Sequence, residues 1–367
     1  MSKPIILQLG DDIKWNHELY AKLRDKFAIR RSYSMDRAEF KAALERKDFG
    51  DFVAMFRPFW NTGGEMGNWD AELIIKSFVS SSFEHSGFLD LLTSNCSSLL
   101  PTSCRIFTSA GAGFDWVDTK ALGARNIIYC NSAAACTESV ADGAIWLLLS
   151  TFRAFTWSAA CARSADPAQF LDATRNTGSL ARNPNGHTLG IIGLGKIGFR
   201  LAQKAHAAFG MKIIYNDIRR MPQEVEAAVD AEYYSSLDAM LGLSDCVVVA
   251  TPFAGHKVLN ANNFPAMKPG ARLVNIARGK CVDEDALVDA LESGRISAAG
   301  LDVHYNEPHV NKKLAKMSNV ELLSHTTGAT VDSHMGFERL GMENILQFFE
   351  IGKAISPVNL EWIKASL

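Results

Sequence analysis

The segment HTLGIIGLGKIGFRLAQKAHAAFG, residues 187–210, joins a β-branched apolar run to an amphipathic one through Gly193, Gly195 and Gly198. This G-x-G-x-x-G between strand and helix is the spacing of a dinucleotide-binding turn. Gly193 permits the tight turn, Gly195 lets the backbone approach a pyrophosphate, and Gly198 allows the helix to pack on its strand. Lys196 and Ile197 open that helix, whose first N–H groups face the phosphates. The next run, KIIYN, leads to Asp217, about twenty residues past the last glycine, where an acid bonds the adenosine ribose hydroxyls. A carboxylate there repels a 2′-phosphate, so the cofactor reads as NAD; Arg219 and Arg220 just beyond leave NADP as the lesser alternative.

Working outward, PIILQL, FVAMF, CRIFTS and NIIYC precede this turn. TLGIIGL, KIIYN, CVVVA, RLVNI, SAAGLDV and VELLS form a second group, each run alternating with helix-length amphipathic segments. The alternation predicts an α/β protein with parallel sheets wrapped by helices. Between the groups, TESVADGAIWLLLSTFRAFTWSAACARSA reads as a long helix and DPAQFLDATRNTGSLARNPNGH as a polar, irregular crossing. With 367 residues, 47% of them apolar, the chain exceeds one core and divides into two domains.

A net charge of −2 without charged blocks argues against nucleic acid and anionic membranes, and favours small-molecule or protein partners. Seven scattered cysteines, never spaced C-x-x-C, suggest neither a disulfide framework nor a zinc site and fit a reducing compartment. The N-terminus shows no leader, and AIWLLLSTF is too short to span a membrane. The expected location is cytoplasmic, the terminal ASL being only loosely like a peroxisomal signal.

Three later strand ends carry polar residues: Arg278 in RLVNIARGK, Glu307 in GLDVHYNEP and His325 in ELLSHTTG. Ligands gather beyond the carboxyl ends of strands in such sheets. Reducing a 2-oxo acid needs a fixed cation for the carboxylate, which arginine provides as a two-pronged donor. It also needs a proton donor near the carbonyl oxygen, which suits histidine. A glutamate bonded to that histidine would orient the ring and favour imidazolium. A metal site at His304, Glu307 and His309 is disfavoured because Pro308 breaks any shared helical face.

These motifs, with SAGAGFDWVD, TPFAGHKVLN, FPAMKPGARLVNIARG, ALVDALESGRISAAGLDV and SHTTGAT, resemble the NAD-dependent D-2-hydroxyacid dehydrogenases over nearly the whole chain. The GAGFDW, LDVH…EP and NPNGHTLG segments are most similar to the fungal D-mandelate branch. The resemblance implies two Rossmann-like or flavodoxin-like domains, with residues 132–328 as the NAD-binding domain. That domain would be inserted into a discontinuous substrate domain of residues 1–131 and 329–367. It further implies that Arg278 binds substrate, His325 is the acid/base and Glu307 orients it. Thr251, Pro252, Ala277, Asp302 and Gly328, together with Arg278 and His325, would border the cofactor, Asp302 bonding its carboxamide.

By the same matching, backbone N–H groups around Ala110, Gly111 and Ala112 complete the carboxylate site. Phe59 and Trp60 form an apolar wall for a bulky R group or, equally, a packed loop that never meets substrate. A homodimer through the helix after residue 137 is implied. Glyoxylate or hydroxypyruvate reduction is an alternative activity, and a nucleotide-sensing corepressor an alternative class. Two details mark this chain within the family. Glu307 stands where the formate dehydrogenase branch has glutamine, and Thr327 where the family usually has glycine.

Overall fold

Alternation of side chains along parallel strands builds two apolar faces per sheet, and each face needs a cover. The computed structural model describes residues 2–33, 36–59, 67–74 and 98–363. The chain separates into two units, Met1–Cys136 with Thr330–Leu367, and Thr137–Ala329.

The first unit holds β1 (Ile5–Leu9), β2 (Ala28–Ser32), β3 (Phe52–Arg57), β4 (Ile106–Ser109) and β5 (Ile128–Cys130), ordered β2-β1-β3-β4-β5 and parallel throughout. Leu7, Met55, Phe107 and Tyr129 point into one core. Their neighbours Ile6, Ala54, Phe56, Ile106 and Ile128 point into the other, where the helix Val331–Ile351 adds Met342, Ile345 and Phe348. That helix sits close because Gly341 faces the Phe56 ring: a Cβ there would lie 2.5 Å from a ring carbon.

The second unit holds β6 (Thr188–Ile192), β7 (Lys212–Asn216), β8 (Ala231–Tyr233), β9 (Cys246–Val249), β10 (Ala271–Asn275), β11 (Ile296–Leu301) and β12 (Val320–Leu322). Their order is β12-β11-β10-β9-β6-β7-β8, again all parallel. From β6 the chain winds outward through β7 and β8, then returns to β9 and winds the other way. The reversal between β6 and β9 is the switch point at which such sheets open a crevice.

Two strands escape the hydrophobic pattern. β2 (AIRRS) and β8 (AEY) are edge strands, and charged side chains there guard unpaired backbone against further pairing while hiding the strand from a periodicity search. The segment expected to be irregular after residue 165 is instead the helix Pro167–Leu180. Asp166 caps it by accepting from the Ala168 N–H at 2.9 Å, with Pro167 at the first helical position. Only Ala173 of this helix is buried, so little apolar pattern marks it. The preceding stretch is two helices, Ala133–Arg153 and Phe155–Arg163, bent by 79° at Ala154, whose φ is +50°. Among the described residues no single helix is long and apolar enough to cross a membrane.

Asp245, ahead of β9, stitches three strands at their amino ends. Its carboxylate accepts from the Thr188 N–H (2.7 Å) and Lys268 Nζ (2.9 Å), while its own carbonyl accepts from the Arg272 N–H at 3.0 Å. Burial raises the Asp245 carboxyl, but the Thr188 amide and then Lys268 outweigh it and hold it below its ordinary value. A depressed carboxyl stabilises the fold above its unfolded value, about 3.9, and that contribution is lost as pH falls through the folded value. Asp245→Asn is therefore expected to cost about 1.5–3 kcal/mol at pH 7, the range for a hydrogen bond to a charged group. Denaturation midpoints for both proteins should draw together as pH falls from about 4 through the lower folded value, where the wild type loses the charge; a gap independent of pH contradicts this assignment.

Candidate active site

At the carboxyl end of β6 the glycine turn has the geometry its spacing requires. Gly193 has φ +95°, and a Cβ there would lie 3.0 Å from the Ala250 carbonyl oxygen and from the backbone of Thr251. The turn thus rides against the end of β9, where Thr251 and Pro252 follow. A Cβ on Gly198 would come 2.1 Å from the Gly193 carbonyl oxygen, so helix and turn pack in contact. Gly195 is different: a Cβ there would meet nothing within 4 Å. Open space before the helix Lys196–Phe209, which has no side-chain cap, leaves the first N–H groups of that helix facing outward. This is a cradle for an anion, and a pyrophosphate fits its chemistry.

Asp217, just past β7, accepts from the Leu194 N–H at 2.9 Å through Oδ2. It therefore ties the glycine turn to the neighbouring strand. The two arginines that follow differ. Arg220 grips Glu226 through Nε and Nη2 (2.9 and 2.8 Å), and Glu226 also accepts from the Tyr215 hydroxyl at 2.6 Å. Arg220 is committed to its own unit, which leaves exposed Arg219 as the cation near Asp217.

Arg278, Glu307 and His325 follow the adjacent strands β10, β11 and β12. Buried Asn275, at the end of β10, shapes the first loop: its Oδ1 accepts from the Ala277 N–H (3.1 Å) and its Nδ2 donates to the Arg278 carbonyl (3.0 Å). Nη1 of Arg278 donates to the Ala277 carbonyl at 2.7 Å. Gly279 is pressed against the next loop, since a Cβ there would lie 1.9 Å from the carbonyl carbon and oxygen of His304.

The His304 amide carries the arrangement onward. It donates to Glu307 Oε1 at 2.9 Å, while Glu307 Oε2 lies 2.9 Å from Nδ1 of His325. An ionised carboxylate only accepts, so Nδ1 holds the proton in this contact. Burial raises the Glu307 carboxyl, but the hydrogen bond from His325 and then the His304 amide more than offset it, leaving it below the usual range. The carboxylate is ionised wherever the site works near neutral pH. The His304 ring is turned away: its Nε2 donates to the Leu323 carbonyl at 2.7 Å. His304 acts through its amide, a role sequence spacing does not reveal. Among the described residues no cluster of side chains is arranged to hold a metal ion.

Asp302 is 1% exposed and its carboxylate is engaged by its own chain, accepting from the amides of Thr326 (2.8 Å) and Thr327 (3.2 Å) and from the Thr327 hydroxyl. The expectation that Asp302 bonds a cofactor carboxamide meets a group already holding three donors. Ala277 is buried beside Arg278, and Gly328 lies in the turn closed by the Ala329 amide on the Thr326 carbonyl at 2.9 Å.

The remaining candidates belong to the first unit. The Ala110 amide donates to the Arg57 carbonyl at 2.9 Å, extending the β3–β4 pairing, so it is not available to a carboxylate. The amides of Gly111 and Ala112 make no such bond among the described residues, and the turn is held by Asn131 Nδ2 on the Ala112 carbonyl at 2.8 Å. Phe59 is buried in an aromatic group with Trp15 (6.2 Å between centroids) and His334 (5.9 Å). Buried Glu338 fixes this group by accepting from the amides of Lys14, Trp15 and Asn16 at 2.6, 3.1 and 2.9 Å. Trp60 lies outside the described residues.

Comparison with known proteins gives the family. Residues 145–327 match the model of the D-isomer specific 2-hydroxyacid dehydrogenase, NAD binding domain. The crystal structure of apo D-mandelate dehydrogenase from Rhodotorula graminis superposes with a TM-score of 0.86 at 37% identity, covering 97% of this chain and 98% of that one. Dehydrogenase efuE of Hormonema carpetanum is 36% identical over 267 residues, 72% of this chain but only 64% of its own length. Glyoxylate/hydroxypyruvate reductase B of Shigella boydii is 37% identical over 250 residues, 66% of this chain and 74% of the relative. With parallel sheets, the glycine turn and the strand-end residues in place, the chain belongs to the D-isomer specific 2-hydroxyacid dehydrogenase family and carries its NAD-binding domain.

Proposed function

We propose that the protein catalyses reversible, NADH-dependent reduction of 2-oxo acids to D-2-hydroxy acids and prefers bulky or aromatic side chains. The observation that carries the reading is the Glu307–His325 pair at 2.9 Å, on the strand ends next to Arg278. NADH, when bound, supplies the hydride. The open turn at Gly195 and the uncapped helix start would take its pyrophosphate, and the carboxylate of Asp217 its ribose. Asp217 favours NAD over NADP, since one exposed arginine, Arg219, does little to offset a carboxylate facing a 2′-phosphate.

In this reading Arg278 holds the substrate carboxylate through paired N–H donors. His325, with Nδ1 fixed by Glu307, presents Nε2 to the oxygen that gains charge as the carbonyl is reduced and gives it the proton. Glu307 touches no substrate. Its charge stabilises the imidazolium before transfer and its geometry fixes the ring. The full-length likeness to D-mandelate dehydrogenase supports an aromatic preference. Reduction of small oxo acids is the second reading, favoured by the likeness to glyoxylate/hydroxypyruvate reductase B.

Steady-state kcat/KM for phenylglyoxylate, 2-oxoisocaproate, hydroxypyruvate, glyoxylate and pyruvate, with each nicotinamide, decides between them. Phenylglyoxylate with NADH is expected to lead, and glyoxylate leading reverses the preference. His325→Gln is expected to lower kcat by about 10²–10⁴-fold, the usual contribution of a positioned acid, with NADH binding retained. Arg278→Gln should raise KM and lower kcat together, because the contact is made in both ground and transition states; an effect on KM alone removes it from the reacting geometry.

We further infer a cytoplasmic homodimer. Exposed Trp146, Phe155 and Phe170 along the helices of residues 133–180 supply an apolar contact face, and the six described cysteines are buried, as suits a reducing compartment. Light scattering should return twice the chain mass of 40.2 kDa; the single mass contradicts the dimer.

A further inference from the structure

His325 stands in an unfavourable backbone conformation, with φ +57°, where a residue with a Cβ persists only if its surroundings hold it. What holds it is Asp302. The Asp302 carbonyl accepts from the His325 amide at 2.7 Å, and Oδ1 accepts from the next two amides, Thr326 at 2.8 Å and Thr327 at 3.2 Å. Three consecutive residues are thus bonded to one aspartate, which is itself fixed to β10 by its amide on the Asn275 carbonyl at 3.0 Å. The remaining oxygen, Oδ2, accepts from the Thr327 hydroxyl.

Asp302 is 1% and Thr327 8% exposed, so water does not replace that donor readily. A buried carboxylate short of donors is costly, and the cost falls on the loop whose amides it organises. The other branch of Thr327 is fixed as well. A Cβ on Gly143 would lie 2.4 Å from its Cγ2, so Gly143 leaves the space its methyl fills. Both branches of one small side chain are therefore locked, in a segment whose first member is His325.

We propose that Thr327 is a positioning residue: its hydroxyl completes the donor set of the Asp302 carboxylate and so holds the His325 segment in its left-handed conformation. This rests on the reading of His325 as the proton donor. At a position where a glycine would offer no hydroxyl, this chain uses a threonine to close the shell around Asp302. The aspartate's work is then directed at the histidine loop.

Thr327→Val removes the donor and keeps the shape; Thr327→Ser keeps the donor and removes the methyl; Thr327→Ala is a second donor-deletion variant should the valine substitution prevent folding. Two readouts are taken on each full-length protein: amide hydrogen exchange of the peptide spanning residues 325–327, and kcat and KM for phenylglyoxylate with NADH affinity from fluorescence. Thr327→Val and Thr327→Ala are expected to exchange several-fold faster in that peptide and to lose about tenfold in kcat, as for roughly 1.4 kcal/mol of lost orientation. NADH affinity and substrate KM should change little, and Thr327→Ser should behave as the wild type.

Wild-type exchange in both donor-deletion variants overturns the proposal, as does equal impairment of Thr327→Ser, which would assign the effect to the methyl. Faster exchange with unchanged kcat also overturns it, and so does folding by the serine variant alone, which would make the hydroxyl a requirement of the fold. A wild type inactive on every oxo acid, or undiminished turnover in His325→Gln, sinks the functional reading instead, while the exchange data still decide whether the hydroxyl holds the loop.

Discussion

The site depends on one carboxylate divided between two partners. Glu307 gives one oxygen to the His304 amide and the other to the His325 ring. Neither bond alone would suffice. The amide fixes where the carboxylate is, and only a fixed carboxylate orients a ring on the next strand end. Because Gly279 is packed on the His304 backbone, the loop bearing Arg278 is held against the same support. Arg278, Glu307 and His325 are therefore registered through one short piece of main chain after β11, and the parallel sheet sets the spacing of the strand ends that they follow.

The same logic recurs on the nucleotide side. Asp217, the acid expected to face a ribose, also accepts from Leu194 inside the glycine turn. A single carboxylate thus links β6 and β7 where the chain leaves the sheet, and the turn that bends at Gly193 is fixed before any ligand arrives. Preorganised main-chain donors need no rearrangement to meet a phosphate, which is the advantage of building the cradle from backbone.

Central strands were legible because burial on both faces demands continuous apolar runs, as in CVVV and IILQL. Edge strands such as AIRRS were not, because edges carry charge for reasons unrelated to the core. The helix from Pro167 was hidden by its exposure, although Asp166 and Pro167 are a capping signal that could have disclosed it. In the site, residues at strand ends were visible from spacing. The donors that organise them were not: the His304 amide, the Asn275 amide group and the Thr327 hydroxyl act only because loops distant in sequence come into contact. The engagement of Ala110 by Arg57 belongs to the same class, since no local pattern tells whether a strand-end amide is already paired.

If Glu307 acts only by holding and charging His325, the two residues are one functional unit, and a double-mutant cycle on single-turnover reduction of phenylglyoxylate measures this directly. The mechanism predicts that Glu307→Gln slows the wild type markedly and costs the His325→Gln enzyme nothing further. Losses that multiply independently in the double variant would contradict it and give Glu307 a role of its own.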